Sequence, residues 1–453
     1  MEGRLRPGSR LPASRDFAKL YGLSRGTVMS VFERLQSEGY VSCRIGAGTR
    51  VNRIERVNRG QTQHAPPPSY VRRAIADHPR PKPWIDSIAP RGTRAFCMQD
   101  PAIAEFPAEL WGKLGARRAR SFGSWLQTDR NGRGYQPLRQ AIADYLASSR
   151  GVRCTADQVI VVSGVQQALD LLARLLLKPG DQIWMEDPGY FGATIAFNNA
   201  GAQMIAVPVD EQGLSVADGV RMCPRARGAY VTPAHQFPLG MTMSLERRMA
   251  LLNWAAETGA FIIEDDYDSE YRFEGSPVSA LQSLDRNSNV IFIGTFNKLL
   301  FPSLRIGFLV LPAALVDLFL AFRYRTEFHT VSTDQAVLCD FITDGHLSRH
   351  LRRMRDLYAL RLSALIDGSK RYLKGVLETS DVRAGLYTAA FLRNGMTSRQ
   401  AEKAAAAREV EVVALDRYTL ESSDPKGVLL GFAAFDEKAI RAGLIKLSAA
   451  FGR

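Results

Sequence analysis

The sequence has little of what builds metal centres, disulfide frameworks or membrane anchors. Its five cysteines are odd in number and far apart, and its six histidines form no cluster with ligand spacing, so neither a metal site nor paired disulfides are predicted. No signal peptide and no apolar run of membrane-spanning length occurs. These absences favour a protein of the reducing cytoplasm. With 453 residues and 46% hydrophobic content, the chain can bury a large core in more than one domain.

Positive charge is concentrated at the amino-terminal end. Residues 1–82 contain 16 Lys and Arg against 6 Asp and Glu, which gives +10 of the total +13. The remaining residues are almost balanced. This asymmetry indicates a polyanion as partner of the basic end, although a merely solvated basic surface would explain the charge alone equally well.

Residues 1–51 have the pattern of two short helices and a β-hairpin. Ser14 and Ser24 are expected to cap the two helices, and Gly22 permits the turn between them. Residues 40–44 and 49–51 alternate like strands around a turn at Gly46-Ala47-Gly48. The apolar side chains expected to pack inward are Phe17, Leu20, Leu23, Val28, Val31, Phe32 and Leu35. This order predicts a winged helix-turn-helix, with a small helical subdomain as the alternative.

A winged helix-turn-helix would place the start of its second helix in the major groove of double-stranded DNA. Arg25 and Thr27 would then lie near base edges, while Ser14, Arg15 and Arg50 would hold phosphates. The full set of predicted DNA-binding residues is Ser14, Arg15, Ser24, Arg25, Thr27 and Arg50. Residues 52–82, rich in Pro, Arg, Asn and Gln, are predicted to be a linker.

Residues 83–453 are predicted to form an α/β domain, with a large part at about 120–325 and a small carboxyl-terminal part at about 326–453. Apolar runs without alternation recur between helical segments, which is typical of a mostly parallel sheet covered on both faces. The seven predicted strands are Val159–Val162, Gln182–Glu186, Gln203–Val207, Gly228–Thr232, Ala260–Glu264, Val290–Gly294 and Gly307–Leu311. Ligands of such sheets bind at the carboxyl ends of the strands.

The residues that could bind a cofactor or react with it lie at or just after the ends of these strands. Lys298 can condense with an aldehyde once burial lowers the pKa of its amine. Arg305 can clamp a phosphate, and Thr295 adds a hydroxyl donor. Asp265 could keep a pyridine nitrogen protonated, and Tyr267 could hydrogen-bond the phenolic oxygen of the same ring. Each residue alone is most simply a strand-end side chain, but together they predict a pyridoxal 5'-phosphate site.

A phosphate site is also predicted where the first strand of the large domain meets a helix. The backbone N–H groups of Ser163, Gly164 and Val165 could receive the phosphate, since glycine allows its close approach. The alternative is an ordinary strand-to-helix turn.

Four segments resemble the fold-type-I aminotransferase half of MocR-type bacterial transcription regulators. They are Ser163–Leu169, Val231–Gly240, Phe261–Arg272 and Gly294–Lys298. The segments Leu11–Arg15, Leu23–Val28 and Glu38–Tyr40 resemble the GntR-type winged helix that precedes it in that family. The resemblance covers nearly the whole chain. It implies a head-to-tail homodimer and a cofactor ring stacked on Tyr190. In that family a helix of about two dozen residues precedes the segment that resembles Leu5–Pro12, and the given sequence lacks this first helix. We therefore expect either a start upstream of the present Met1 or a weakened winged helix.

Some positions depart from the family pattern. Asn297 stands where relatives usually have Ser, Gly192 stands where some carry a carboxylate-binding Arg, and the segment from Asp129 lacks a tyrosine often offered toward the cofactor. These changes affect catalysis more than cofactor binding. Arg417 is the candidate for an effector carboxylate, with a plain surface arginine as the alternative.

Together these features predict a DNA-binding transcription regulator. Its aminotransferase-like domain would sense a small amine, an amino acid or pyridoxal phosphate itself through a Schiff base on Lys298. The main alternative is a genuine aminotransferase with a vestigial DNA-binding head. A regulator that has lost the cofactor is disfavoured, because Asp265, Tyr267, Lys298 and Arg305 all remain.

Overall fold

The computed structural model describes residues 5–44, 48–53, 69, 72–73, 94–98, 100–120, 132–273, 275, 278–327, 333–380, 382–421 and 425–452. The chain divides into two compact units, Met1–Ile88 and Ala89–Arg453. Most of the predicted linker, the hairpin residues Gly46 and Ala47, and the segment at Asp129 lie outside the described residues.

The first unit contains two helices and an antiparallel hairpin: α1 Ser14–Tyr21, α2 Arg25–Ser37, β1 Val41–Arg44 and β2 Gly48–Val51. Gly22 ends α1 with φ 63°, in the left-handed region that suits glycine. Ser24 caps α2 as predicted, since its Oγ accepts the backbone N–H of Thr27 at 3.0 Å. The predicted cap at Ser14 is wrong: α1 already includes Ser14, and Ala13, which has no side-chain acceptor, stands at the N-cap. The predicted helix-turn-helix and hairpin are confirmed.

Fewer apolar side chains pack inward in this unit than the sequence predicts. Leu20, Leu23 and Val31 are 70%, 51% and 50% exposed, although they were expected to pack inward. The buried residues of the two helices are Ala18 and Val28, and the rings of Phe17 and Phe32 pack nearly perpendicular with their centroids 5.7 Å apart. Because α1 has only two turns, it presents one narrow stripe to α2 and leaves the neighbouring apolar side chains in solvent.

The second unit alternates helices and strands. Its described helices are α3 Ala108–Arg120, α4 Gln136–Arg150, α5 Val165–Leu176, α6 Phe191–Asn199, α7 Val216–Met222, α8 Leu245–Thr258, α9 Leu281–Leu284, α10 Ala313–Arg323, α11 Thr333–Thr343, α12 His346–Tyr372, α13 Ser398–Ala406 and α14 Glu437–Ala450. Its described strands are β3 Val159–Val162, β4 Gln182–Asp187, β5 Gln203–Asp210, β6 Gly213–Leu214, β7 Gly228–Val231, β8 Phe261–Asp266, β9 Val290–Thr295, β10 Gly307–Val310, β11 Leu377–Thr379, β12 Tyr387–Leu392, β13 Val413–Ala414 and β14 Gly427–Gly431.

The large sheet has the strand order β3-β10-β9-β8-β7-β4-β5-β6. Strands β5, β4, β7, β8 and β9 pair in parallel, whereas β10 is antiparallel to both of its neighbours. All seven predicted strands are present, so the mostly parallel sheet is confirmed. The predicted number of strands is one too low, because β6 pairs antiparallel with the end of β5 over only two residues, which is too short to leave a periodic signal.

Both faces of the large sheet are covered. The neighbouring residues Ile262 and Ile263 on β8 are fully buried but belong to two different apolar clusters, because successive side chains of a strand point to opposite faces. Helices α5 and α6 pack together on one face. A second, antiparallel sheet of order β11-β12-β14-β13 forms the small part, where the long helix α12 packs against α14 and β11.

None of the helices in the described ranges combines the length and apolar character needed to cross a membrane.

Candidate functional site

A cavity lies at the carboxyl ends of the parallel strands. Tyr190 follows β4, Thr232 follows β7, and Asp265 and Thr295 stand near the ends of β8 and β9. Parallel strands end at the same edge of a sheet, so segments that are distant in the chain meet there. The described residues that line the cavity are Gly164, Val165, Gln166, Tyr190, Tyr230, Thr232, Phe237, Asp265, Tyr267, Asp268, Thr295, Asn297, Lys298, Arg305, Leu386 and Tyr387. The structure thus brings together the predicted cofactor residues except Ser163.

Lys298 lies in the loop that follows β9, between Phe296 and Leu299, whose side chains are buried. Loss of hydration lowers the pKa of its amine to about 8, although the nearby carboxylates of Asp100 and Asp268 oppose this change. An amine with this pKa is partly neutral at physiological pH, and the neutral form is the nucleophile that attacks an aldehyde.

Asp265 is 4% exposed and has one engaged and one unengaged oxygen. Its Oδ2 accepts a 2.6 Å hydrogen bond from the hydroxyl of Tyr230, whereas Oδ1 has no hydrogen-bond partner among the described residues. Burial raises the pKa of the carboxyl to about 7; the Tyr230 bond lowers it, and Asp266 and Asp268 raise it further. A buried carboxylate oxygen without a donor is costly, so this side chain fits a protonated ring nitrogen.

Another part of the cavity lining is suited to an anion. Gly164, with φ 127°, stands at the N-cap of α5, and a Cβ there would come within 3.9 Å of the guanidinium of Arg305 and 3.8 Å of the amide nitrogen of Asn297. The backbone N–H of Asn297 donates to the hydroxyl of Thr295 at 3.2 Å. A helix start with a nearby guanidinium and hydroxyl is a phosphate-binding arrangement. The N–H of Ser163 instead donates to the side chain of Gln167 at 2.7 Å.

Tyr190 packs edge-on against Phe237, with ring centroids 5.7 Å apart. Local packing explains the glycine at position 192, because a Cβ there would come within 2.5 Å of the Tyr190 ring and of Oε1 of Gln166. The amide of Gln166 also donates to the carbonyl of Gly192 at 2.9 Å. An arginine at position 192 would therefore displace Tyr190, whose ring is the predicted stacking surface.

A buried hydrogen-bond network that sequence reasoning missed joins the residues His235, Tyr267, Asp268 and Tyr387. Nδ1 of His235 lies 2.8 Å from Oδ1 of Asp268 and 3.1 Å from the hydroxyl of Tyr267. The Tyr267 and Tyr387 hydroxyls are 2.8 Å apart. When Asp268 is ionised, Nδ1 carries the proton, so the hydroxyl of Tyr267 cannot donate to it and is left to donate toward Tyr387 or the cavity.

Arg417 is engaged outside this cavity. Its Nε and Nη2 donate to the two carboxylate oxygens of Glu402 at 2.9 and 2.7 Å, and it is not among the residues that line the cavity. Its predicted role toward an effector carboxylate stays a prediction.

On the first unit, Arg15, Arg25, Thr27 and Arg50 are exposed, as DNA-contacting residues must be. Three of the predicted DNA-binding side chains, Ser24, Thr27 and Arg50, also have partners within the unit. The hydroxyl of Thr27 lies 2.8 Å from that of Ser24, and Nη1 of Arg50 donates to the carbonyl of Gly8 at 3.0 Å.

Comparison with known proteins agrees with this geometry. A family model described as aminotransferase class I and II matches residues 115–423. The crystal structure of Pyrococcus horikoshii kynurenine aminotransferase, in complex with PMP, has a TM-score of 0.75 at 26% identity, over 82% of this chain and 93% of that one. LysN, the α-aminoadipate aminotransferase of Thermus thermophilus, complexed with N-(5'-phosphopyridoxyl)-L-leucine, scores 0.73 at 26% identity, over 79% and 91%. The second unit therefore has the fold of the class I and II aminotransferases, a pyridoxal-phosphate-dependent class.

Comparisons of the first unit and of the full-length chain define the family more narrowly. Residues 1–51 match the model of bacterial regulatory proteins of the gntR family. The "Probable rhizopine catabolism regulatory protein MocR" of Rhizobium meliloti is 40% identical over 456 residues, which are 100% of this chain and 91% of that protein. The pyridoxine biosynthesis transcriptional regulator PdxR of Corynebacterium glutamicum is 30% identical over 98% of this chain and 92% of its own length. The chain belongs to the MocR-type GntR transcription regulators, which confirms the predicted family and favours regulation over a genuine aminotransferase.

Proposed function

We propose that this regulator binds pyridoxal 5'-phosphate on Lys298, senses a small amine or amino acid there, and changes its affinity for operator DNA in response. The observation that carries the cofactor assignment is the unpartnered Oδ1 of Asp265, among the described residues, in the same cavity as the low-pKa amine of Lys298 and the guanidinium of Arg305. When bound, the cofactor supplies an aldehyde carbon that condenses reversibly with primary amines.

The side chains around that group have separate roles in the proposal. Asp265 holds a proton on the ring nitrogen, and the Tyr230 hydroxyl fixes the carboxylate through its 2.6 Å bond. Tyr267 donates to the phenolic oxygen in the tautomer in which Nδ1 of His235 donates to Asp268. Arg305 and Thr295, with the backbone of Gly164 and Val165, hold the phosphate, and Tyr190 stacks on the ring. The N–H of Ser163, also predicted for the phosphate, donates to Gln167. Lys298 provides the amine.

The DNA-binding role is proposed from the basic first unit. Arg25 and Thr27 contact base edges, while Arg15 and Arg50 contact phosphates. Ser14 also contacts a phosphate, and Ser24 is a further DNA-binding residue. A homodimer, head to tail as the family resemblance implies, would read paired half-sites of double-stranded DNA.

The test combines two measurements on the full-length protein reconstituted with pyridoxal phosphate. Primary amines are screened for a change in visible absorbance, and each active amine is then added to a fluorescence-anisotropy titration of promoter DNA from the protein's own gene. We expect DNA affinity to change by about fivefold or more, a typical coupling between two sites. Lys298→Ala is the matched control, in which DNA affinity should not depend on the amine.

An amine that is rapidly converted to a carbonyl product without altering DNA affinity would contradict the proposal and support the alternative enzyme. Failure of the reconstituted protein to bind any fragment of that promoter would contradict the DNA-binding half.

A further inference from the structure

The hydrogen bond between the hydroxyls of Tyr267 and Tyr387 can run in either direction. The two oxygens are 2.8 Å apart. Each hydroxyl has one proton to donate and can accept in return, so the bond uses one proton and leaves the other for the cavity that both residues line. The direction of the bond therefore decides which tyrosine can donate to a ligand.

The pair of His235 and Asp268 limits where the Tyr267 proton can go. Nδ1 of His235 lies 3.1 Å from the Tyr267 hydroxyl but 2.8 Å from Oδ1 of Asp268. An ionised carboxylate can only accept, so it keeps the imidazole proton on Nδ1, and that nitrogen can then only donate. The acceptors that remain for the Tyr267 proton are Tyr387 and whatever the cavity holds.

The surroundings of Tyr387 favour it as the donor of the bond. It is 2% exposed and packs in an apolar cluster with Phe237, Met98 and Leu429. Within the described part of the chain, its hydroxyl is hydrogen-bonded to Tyr267 and would have no other acceptor for its proton, which is costly for a buried group. Tyr267 is only partly buried at the cavity, so its proton is the one that can reach a ligand.

The backbone at Gly385 holds Tyr387 against this network. Gly385 has φ 96°, and a Cβ there would come within 2.2 Å of Cε1 of His235 and 2.9 Å of Oδ2 of Asp268. Its N–H donates to the carbonyl of Tyr271 at 2.9 Å, two residues before Tyr387 begins β12. Because this segment packs directly on the imidazole and the carboxylate, it keeps the two hydroxyls within bonding distance.

We propose that Tyr387 is a positioning residue for the cofactor: its hydroxyl donates to the oxygen of Tyr267 and thereby commits the Tyr267 proton to the phenolic oxygen of pyridoxal phosphate. This inference rests on the proposed function and adds a residue to it. Tyr387 acts through Tyr267 and needs no contact with the cofactor. Its hydrogen bond makes the Tyr267 proton a stronger donor, because hydrogen bonds in a chain polarise one another.

The test compares pyridoxal phosphate with 3-deoxypyridoxal 5'-phosphate, which keeps the aldehyde and the phosphate but lacks the phenolic oxygen. Equilibrium dialysis against the full-length, cofactor-free protein gives the dissociation constant of each compound, and the ratio of the two constants measures the preference for the phenolic oxygen. Tyr267→Phe should lower this preference by about tenfold, as expected for losing a hydrogen bond to a charged group. Tyr387→Phe should lower it by about threefold, because the same bond is weakened but not lost.

A double variant shows whether Tyr387 acts through Tyr267. In protein that already carries Tyr267→Phe, the change Tyr387→Phe should have no further effect on the preference. Tyr145→Phe is the matched control, because it removes a tyrosine hydroxyl that donates to Glu270 at 2.9 Å outside the cavity lining, and it should leave the preference unchanged. Tyr387→Met, which also removes the hydroxyl, repeats the test if Tyr387→Phe does not fold.

The pH dependence of the visible absorbance is a second readout, which a general loss of stability would not move. A donor to the phenolic oxygen favours the form of the bound cofactor that has lost a proton. Tyr267→Phe and Tyr387→Phe should therefore both move the midpoint of the absorbance change to higher pH. The titratable and charged side chains at or beside the cavity are the same in these variants apart from the two tyrosines: Glu186, Tyr190, Tyr230, His235, Asp265, Asp268, Lys298, Arg305 and Tyr418.

The sign of the Tyr387→Phe effect decides the direction of the bond. A stronger preference, with the midpoint at lower pH, would show that Tyr267 donates to Tyr387 and would overturn the inference. An unchanged preference would overturn it as well, and so would an equal effect of Tyr387→Phe with and without the Tyr267 hydroxyl. In these cases pyridoxal phosphate would still be bound, so the proposed function would stand. Failure of the unaltered protein to bind pyridoxal phosphate would contradict the proposed function and the inference with it.

Discussion

The lowered pKa of Lys298 leads to a prediction about how cofactor-free protein takes up pyridoxal phosphate. At the ordinary lysine pKa of about 10.4, only about 0.04% of the amine is neutral at pH 7. With the pKa lowered to about 8 by loss of hydration, about one tenth is neutral at pH 7 and about nine tenths at pH 9. Because the neutral amine is the reactive form, the uptake rate should rise about tenfold between these pH values and then level off.

The assay is stopped-flow absorbance of cofactor-free protein mixed with pyridoxal phosphate between about pH 6 and 10. Nα-acetyllysine in the same buffers is the control for the titration of the cofactor itself. The carboxylates of Asp100 and Asp268 raise the pKa of Lys298, so Asp268→Asn should move the midpoint to lower pH. A rate that keeps rising to the alkaline end of this range, in step with the acetyllysine control, would refute the claim that the cavity lowers this pKa.

Four further outcomes are expected. Purified protein should be yellow, Lys298→Ala should be colourless but folded, and borohydride should trap the cofactor on Lys298; recovery of the label on another residue would exclude the site. Arg305→Ala should weaken cofactor retention by about 1.5–3 kcal/mol, the range for a hydrogen bond to a charged group, whereas Asp265→Asn should change the spectrum more than the retention; equally small effects of both would place the ring elsewhere. Arg25→Ala should reduce sequence preference, whereas Arg50→Ala should weaken binding to every duplex and lower its salt dependence, which titrations at several salt concentrations distinguish. Carbonyl product from a bound amine, followed by a coupled dehydrogenase, should form far below the ordinary enzyme range of about 1–1000 per second.

The parts of the fold that could be predicted are those encoded locally. A fully buried strand is a continuous apolar run, so β8 and β9 were visible in the sequence, and Asp265 and Lys298 were recognisable by their positions at the strand ends. Parallel pairing then brings these ends together. The two-residue strand β6 could not be predicted, because its position depends on its hydrogen bonds to β5 rather than on any pattern of its own.

The packing of the first unit shows a second limit of prediction from the sequence. Val28 and Val31 both fit the helical spacing, yet Val28 is 3% exposed and Val31 is 50% exposed. Periodicity identifies which residues of a helix share a face, but the width of the face that is covered depends on the partner helix. The sequence pattern of α2 contains no information about how much of it α1 covers.

The sequence also does not reveal which charged residues are available to a ligand, because this depends on contacts between distant parts of the chain. Arg417 has the right chemistry for a carboxylate, but both of its observed donors are directed to Glu402, 15 residues away in the chain. Asp268 appears in the sequence as one of several acids after β8, yet the fold pairs one of its oxygens with His235, 33 residues away, and leaves the other without a donor among the described residues. Residue type therefore predicts what a side chain could bind, whereas its availability depends on long-range pairing.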